Sequence, residues 1–504
     1  MNITMNQLEK SFARISALDH ATAILDWDEA VVMPSQSGEA RAAAQSELKI
    51  IKHEILTNPK LYELVLNLEC KNIALDPWEL ANLREIKKLI LRANSVEKDL
   101  IEAQSIATSE CQQNWKVMRD DNNWKSFLPL FEKIVHLSRE EVAQRSKSSE
   151  PSGYDCLLDQ FSPGISSNQI SEIFNQVKLF LPELTQEILD FQMKTDRTLL
   201  DSSKEHLSAS IDSQKNLGLS LMTSLGFDFT KGRLDTSHHP FCGGTPHDVR
   251  ITTRYSQTDF IESLMGVIHE TGHALYEQNL PERWTHQPVG MARGMDIHES
   301  QSLFFENCIG RNKHFFKFMF PIIKNNLFKN KDSSIPLSQI IFDRLHQVKK
   351  SLIRVNADEV TYPMHIILRF EIERDLILGK LEAKDLPEVW DLKMQEYLGL
   401  STKNDFKNGC MQDIHWPSGA FGYFPSYSLG AIFASQLFST IKKEDTNFNE
   451  NLSQGNLTFI KNWLRNKVWS QGSLYTSQEL IFKATGENLN PVYFKNYLRE
   501  KYLE

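Results

Sequence analysis

Apolar residues recur every three to four positions along most of the chain, a spacing typical of amphipathic helices. Polar runs near 201–212 and 443–455 interrupt the pattern, but neither is long enough for a free linker. We therefore expect a mainly α fold in one continuous domain spanning residues 1–504. The segments that carry the helical spacing are 2–70, 79–120, 124–148, 167–194, 205–224, 316–400, 427–442 and, as a set of short helices, 457–504.

One short stretch alternates apolar and polar positions instead, which predicts a β-strand over 248–255. The residues before it, 239–246, are rich in proline and glycine and are typical of a loop. Helical spacing resumes over 261–278, so a strand directly precedes that helix.

Composition narrows the class of protein. The 504 residues are 41% hydrophobic and 24% charged, as expected of a globular chain with a sizeable core. A net charge of −9 with acids and bases interspersed argues against nucleic-acid partners and gives no basic patch for a membrane surface. No signal peptide or membrane span is expected, and six cysteines without a CxxC pair suggest a reducing, cytoplasmic location.

Candidate chemistry lies in the helix over 261–278, which contains the sequence His269-Glu270-Thr271-Gly272-His273. Residues four apart lie one turn apart on one helix face, so the two histidines can grip one Zn²⁺ from the same side. Glu270 can then take a proton from zinc-bound water and pass it to the leaving amine.

A motif this short also arises by chance, and the alternative is a pair of histidines on a helix surface. Two observations weigh against that alternative. His269 and Glu270 follow an apolar stretch, where an unmatched charge would be costly. Seven of the fifteen histidines fall between positions 238 and 298. A third ligand would strengthen the metal hypothesis further.

The residues after the motif decide the class of metal site. Tyr276 and Asn279 stand where a metzincin would place glycine and histidine, which excludes that class. Glu299 lies in the amphipathic segment 296–306, after a connection rich in proline and glycine, so it is our preferred third ligand, with His298 as the second choice. Three protein ligands leave an open, catalytic position. The downstream candidates considered are Glu277, Glu282, Asp296, His298, Glu299 and Glu306.

Further motifs give the chain a resemblance to the metallocarboxypeptidase Taq family, peptidase family M32. The resemblance covers essentially the whole chain, with the motifs in the right order. They are HETGH with Glu299, His239-Pro240-Phe241, the DxRxT of 248–252, the segment 353–359 ending in Ala-Asp-Glu, the GxxQDxHW of 409–416, Trp27-Asp28 with Met33-Pro34, and Tyr154-Asp155 with Leu158-Asp159.

The resemblance implies a fold and an activity. Family members are mainly α, with a two-lobed helical body, a deep groove and a small β-sheet next to the HExxH helix, and they resemble neurolysin and angiotensin-converting enzyme. They release single C-terminal residues from peptide substrates with broad specificity, disfavouring terminal proline. They bind one Zn²⁺ per chain, sometimes Co²⁺, and are commonly homodimers.

Four residues are candidates for substrate contact. Tyr423 resembles the oxyanion tyrosine of the converting-enzyme group, with Tyr427 as the alternative. His239 and His415 are candidates for hydrogen bonds to the scissile peptide or to a product carboxylate. Each also has a structural alternative, because buried tyrosines and histidines commonly find a partner in the core.

A carboxypeptidase must also read a free carboxylate, which the planar fork of arginine does well. Arg354 in the segment 353–359 is the first choice. Arg250 and Arg254 compete with it, although either can serve the strand structurally, Arg250 against a nearby acid. Asp358 is a candidate acceptor for the second N–H of a histidine ligand.

Two other functions remain open at this point. An oligopeptidase that cuts internally would use the same chemistry, and it would still cleave a peptide whose C-terminus is amidated. A non-enzymatic helical scaffold that has kept the motif would bind no metal.

Overall fold

The computed structural model describes residues 3–70, 74–148, 151–195, 207–329 and 337–504. The mainly α fold expected from the sequence is confirmed. The helices are α1 Ile3–Val31, α2 Gly38–Leu56, α3 Pro59–Cys70, α4 Pro77–Asn94, α5 Lys98–Asp120, α6 Trp124–Ser148, α7 Asp155–Phe161, α8 Ser167–Lys194, α9 Ile211–Leu225, α10 Phe260–Gln278, α11 Met295–Leu303, α12 Lys313–Leu327, α13 Leu337–Leu345, α14 Tyr362–Ile377, α15 Leu386–Leu398, α16 Pro425–Glu444, α17 Phe448–Ser453, α18 Thr458–Lys467, α19 Ser477–Thr485 and α20 Pro491–Leu503.

Helical spacing predicts where helices form better than where they break. The segment 2–70 divides into three helices, and 316–400 divides into four. Between α13 and α14 the chain runs irregularly through 346–361, apart from one 3₁₀ turn at Arg354–Asn356. The run 443–455 holds the end of α16 and the short α17. Most of the run 201–212 lies outside the described residues.

A three-stranded sheet packs beside α10, in the order β1-β3-β2. β1 (Gly232–Thr236) is parallel to β3 (Asp248–Thr253), and β2 (Phe241–Thr245) is antiparallel to it. The predicted strand at 248–255 is thus confirmed. The loop expected over 239–246 is wrong for residues 241–245, which form β2, because the glycines permit a close hairpin. Gly244 has φ +112°, and a Cβ there would lie 1.9 Å from the Asp248 carbonyl oxygen.

Two large apolar cores make up most of the interior. One gathers residues of α5–α8, α14, α15 and α20, and the other gathers residues of α9–α13 and α17–α19. α16 belongs to both, since Leu429 and Ile432 pack in the first core and Phe433 and Leu437 in the second. The metal motif on α10 therefore lies in one core while the irregular segment 346–361 adjoins the other.

No helix in the described ranges is long and apolar enough to span a bilayer.

Candidate active site

Three side chains converge at the centre of the molecule. His269 and His273 project from α10, and Glu299 projects from α11. The Nε2 atoms of the two histidines lie 3.9 and 3.4 Å from the two Glu299 carboxylate oxygens, and the three donor atoms lie within 4.8 Å of one another. Ligand bonds of about 2.0–2.1 Å in a tetrahedral site place neighbouring donors about 3.3 Å apart. The donor set thus fits a divalent metal.

A carboxylate holds the far side of the first histidine. His269 Nδ1 lies 2.9 Å from Glu306 Oε2, and Arg311 donates to Glu306 Oε1 at 3.0 Å. Burial alone would raise the pKa of Glu306, but the bond to His269 and the charge of Arg311 lower it to about 2. From the sequence, Glu306 was a candidate only for the third metal ligand. Its spacing of seven from Glu299, two helical turns, is the signal that could have revealed this role.

The second histidine has a different partner. His273 Nδ1 lies 2.6 Å from His298 Nδ1, and His298 Nε2 lies 2.8 Å from Glu277 Oε1. If His273 donates through Nδ1, its Nε2 is left free for a metal, and His298 in turn donates to Glu277. His298, the second choice for third ligand, therefore lies behind His273 rather than beside Glu299.

Glu270 is buried next to these donors. Its side chain borders the cleft described below. Burial raises its pKa to about 7 when no metal is bound; the His269 charge opposes this rise, and nearby Glu299 adds to it. A carboxyl that titrates near neutrality can both accept and return a proton during a reaction at neutral pH.

A cleft of about 690 Å³ opens onto the donors. We call its two sides the metal wall and the loop wall. The metal wall is formed by α10, α11 and the π-helical turn Phe304–Gly310, and includes Met265, His269, Glu270, Glu299, Glu306 and Arg311. The loop wall is formed by residues 349–363, α16 and α20, and includes Ser351, Arg354, Asn356, Tyr362, Tyr427 and Tyr497.

Arg354 stands on the loop wall in a fixed orientation. Its Nε and Nη2 lie 3.0 and 2.9 Å from Asp413 Oδ1, and its Nη1 donates to the Tyr362 hydroxyl at 2.6 Å. Arg369 holds the other Asp413 oxygen, and the Arg354 backbone N–H donates to Gln412. These contacts use three of the five guanidinium N–H groups, which leaves two for a ligand carboxylate.

Comparison with known proteins identifies the relatives of this chain. The family model described as carboxypeptidase Taq (M32) metallopeptidase matches residues 7–502. The chain belongs to the M32 family. It is 34% identical to thermostable carboxypeptidase 1 of Pyrococcus furiosus over 505 residues, covering 100% of this chain and 99% of the relative. The Thermus thermophilus protein of the same name is also 34% identical, over 490 residues that cover 95% and 94% of the two chains.

Solved structures agree with this assignment. Trypanosoma cruzi metallocarboxypeptidase 1 superposes with a TM-score of 0.94 at 38% identity, covering 99% of each chain. The Pyrococcus furiosus carboxypeptidase structure superposes with a TM-score of 0.91 at 33% identity, over 100% and 99% of the two chains. This M32 protein is therefore a metallocarboxypeptidase, and its family implies a metal cofactor.

The tyrosines expected at the M32 site lie together beside the cleft. Tyr427 lines it, and Tyr423 packs edge-on against Tyr427 with ring centroids 5.3 Å apart. Burial, followed by the nearby Glu299, raises the pKa of Tyr423 to about 12, so its hydroxyl stays protonated. His415 Nε2 lies 3.4 Å from the Tyr427 hydroxyl, while its Nδ1 is buried without a hydrogen-bond partner among the described residues.

The two remaining substrate candidates lie outside the set of cleft-lining residues. His239 is exposed, although the next residue, Pro240, borders the cleft. Arg250 pairs with both oxygens of Asp248 at 2.9 Å and stacks on Trp27, 4.4 Å from the ring centroid. This favours the structural use of Arg250 against an acid. Substrate contact by either residue stays a prediction.

Asp358 has a different role from the one expected. Its carboxylate accepts from the backbone N–H groups of Lys349, Val360 and Thr361 at 2.9–3.0 Å, which closes the irregular loop on itself. Glu306, not Asp358, accepts from the histidine ligand.

Tyr362 was not singled out from the sequence, since its place beside Arg354 depends on the irregular loop that Asp358 closes.

Proposed function

We propose that this chain is a zinc-dependent carboxypeptidase that releases single C-terminal residues from peptides with broad specificity, except terminal proline. Glu270 is the general base, and His269, His273 and Glu299 hold the metal. Arg354 reads the substrate carboxylate.

One observation carries the proposal: the metal donors His269 and Glu299 line the same cleft as Arg354. A peptide lying between them presents its terminal carboxylate to a guanidinium and its last peptide bond to the metal wall. Arginine suits this role because it binds a carboxylate through two parallel N–H groups. A cleft built to bind only internal segments would have no need of such a group.

The chemistry divides among the residues present. A bound divalent metal supplies Lewis-acid activation of water and of the scissile carbonyl. Glu270 accepts the proton that the attacking water loses and returns it to the leaving amine. The protonated hydroxyl of Tyr423, or of Tyr427 on the cleft wall, donates to the oxygen that gains negative charge. His415 positions Tyr427 or contacts the product carboxylate, and contacts by His239 and Arg250 extend the proposed site.

Further parts of the proposal rest on the resemblance and on composition. Two imidazoles and one carboxylate suit Zn²⁺, one per chain, with Co²⁺ as the alternative. Residues 1–504 act as one domain, a span supported by the match over 7–502. A cytoplasmic location fits the six free thiols. A homodimer is carried by the family resemblance alone.

Paired peptides test the function. We expect a peptide with a free C-terminus to lose residues one at a time, which mass spectrometry reads as a ladder. Its amidated twin should stay intact, and a chelator should stop the release of residues from the free-ended peptide. Internal cleavage of the amidated peptide would identify an oligopeptidase instead.

Arg354→Ala should lower kcat/KM on the free-ended peptide by about 30-fold or more, since losing one partner of a buried charge pair costs about 2–5 kcal/mol. Arg254→Ala is the matched control. Arg254 lies at the end of the sheet, exposed and paired with Glu262, so we expect little change. Unaltered kinetics in Arg354→Ala would show that another residue binds the substrate carboxylate.

A further inference from the structure

A buried ammonium group joins the two walls of the cleft from behind. Lys501, on the C-terminal helix α20, has a side chain only 8% exposed. Its Nζ donates to a Glu359 carboxylate oxygen, to the Asn307 carbonyl at 2.9 Å and to the Tyr497 hydroxyl at 2.8 Å. An ammonium has three N–H groups, so every donor of Lys501 is used.

The first attachment lies on the metal wall. Asn307 belongs to the π-helical turn Phe304–Gly310, directly after Glu306, the partner of His269. The wide turn leaves the Asn307 carbonyl open, since the Arg311 and Asn312 amides bond to the carbonyls of residues 306 and 309 instead. Two side chains of α20, Tyr497 and Lys501, donate to that carbonyl, so α20 helps to hold this turn in place.

The second attachment lies on the loop wall. Glu359 lies in the irregular segment 346–361 that carries Arg354, which we call the Arg354 loop, and its side chain is 5% exposed. Besides Lys501, its carboxylate accepts from the hydroxyls of Tyr497 at 2.9 Å and Tyr502 at 2.7 Å. All three partners of Glu359 therefore come from α20.

Stability alone gives a weak reason for this arrangement. Burying an ion pair costs desolvation that its attraction barely offsets, and apolar residues of similar size often serve as well. What the ion pair supplies is a fixed distance between Glu359 on the loop wall and Asn307 on the metal wall, because Lys501 contacts both. A carboxypeptidase needs such a distance, because the carboxylate reader must stand one residue from the reacting bond.

We propose that Lys501 is a positioning residue that holds the Arg354 loop in register with the metal wall, so that a substrate carboxylate is bound one residue from the site of hydrolysis. This inference rests on the proposed function. Displacements of about 1 Å in such a site lower catalytic efficiency by about 10²-fold. Lys501 itself is not among the described residues that line the cleft.

The test measures binding, separately from turnover. All variants are made in a Glu270→Gln background loaded with Zn²⁺, and calorimetry gives the Kd of an alanine pentapeptide and of its amidated twin. Lys501→Met/Glu359→Gln removes the ion pair without leaving a buried charge unpaired. Tyr497→Phe is a milder variant that removes one bridging hydroxyl. Arg499→Met is the matched control, because Arg499 lies on the same helix in an exposed pair with Glu187.

The parent should prefer the free acid by about 10-fold or more, as expected of a charge-assisted bidentate contact. We expect the double variant to lose most of that preference, Tyr497→Phe to lose part of it and Arg499→Met to keep it, with thermal midpoints close to the parent. A double variant or Tyr497→Phe with the full preference would overturn the role of Lys501. A parent without any preference would overturn the carboxylate-reading function as well.

Discussion

At the scale of single residues, the two histidines of the metal motif differ in what lies behind them. His269 is backed by the Glu306 carboxylate, whereas His273 is backed by the imidazole of His298. Burial lowers the pKa of His269, but Glu299 and Glu306 raise it to about 10 when no metal is bound. Burial lowers the pKa of His273 to about 4. Metal binding must therefore displace a proton from His269, while His273 is already neutral.

Glu270→Gln separates metal binding from catalysis. Glutamine keeps the size of the side chain but cannot take up a proton at neutral pH. We expect the variant to hold its metal while kcat falls by roughly 10²–10⁴, as measured by metal analysis and steady-state kinetics. Glu262→Gln, in the exposed first turn of the same helix, is the control and should stay active. Full activity in Glu270→Gln would remove Glu270 from its role as base.

At the scale of elements, the site depends on how closely α10 approaches α11. A Cβ on Gly272 would lie 2.6 Å from the Gln301 carbonyl oxygen and 2.7 Å from Ser302 Cα. Both are backbone atoms that cannot swing aside. Gly272 precedes His273, and Gln301 follows Glu299 by two residues, so this contact sets the distance between the second and third metal donors.

Gly272→Ala should force the two helices apart. Overpacking of this kind costs about 1–3 kcal/mol, and the widened donor set should lose its metal faster to a chelator. Gly266→Ala on the same helix is the matched control, because a Cβ there meets only Thr253 Oγ1, at 3.8 Å. Its stability should equal or exceed the parent value, since alanine favours a helix over glycine. Thermal midpoints and metal release rates measure both. If Gly272→Ala matched the parent in thermal midpoint and in metal release rate, the close approach of α10 to α11 would not determine metal affinity.

The same elements show how far the sequence alone can lead. The HETGH donors were predictable, because i,i+4 spacing on a helix depends only on local geometry. Glu299 was predictable from a chain reversal rich in proline and glycine. The π-helical turn that contains Glu306 was not, because hydrophobic spacing cannot distinguish it from an α-helix. The Arg354 loop was also missed as a loop, since its Asp358 closure uses side-chain-to-backbone bonds that leave no periodic trace.

At the scale of the whole molecule, the cleft lies between two cores that must keep their relative position. Glu373 of α14 connects three parts of the first core. Its carboxylate accepts from the Tyr154 hydroxyl beside α7, from Trp416 Nε1 at 2.9 Å and from the Gly422 amide at 3.1 Å. Gly422 directly precedes the candidate oxyanion Tyr423, so this fully buried acid also places part of the site.

The cost of burying that acid should appear in the pH dependence of stability. Burial raises the pKa of Glu373 to about 7 despite its three hydrogen-bond donors and nearby Arg369. Between about pH 4.5 and 7 the folded protein thus binds more protons than the unfolded chain, and stability falls as the pH rises. Glu373→Gln cannot ionise, so relative to the parent it should gain on the order of 3 kcal/mol from about pH 5 to 8. Urea unfolding of the metal-free proteins measures this, with exposed Glu388→Gln as a pH-independent control. If the difference in unfolding free energy between Glu373→Gln and the parent did not change with pH, the three hydrogen-bond donors would outweigh burial in setting the pKa of Glu373.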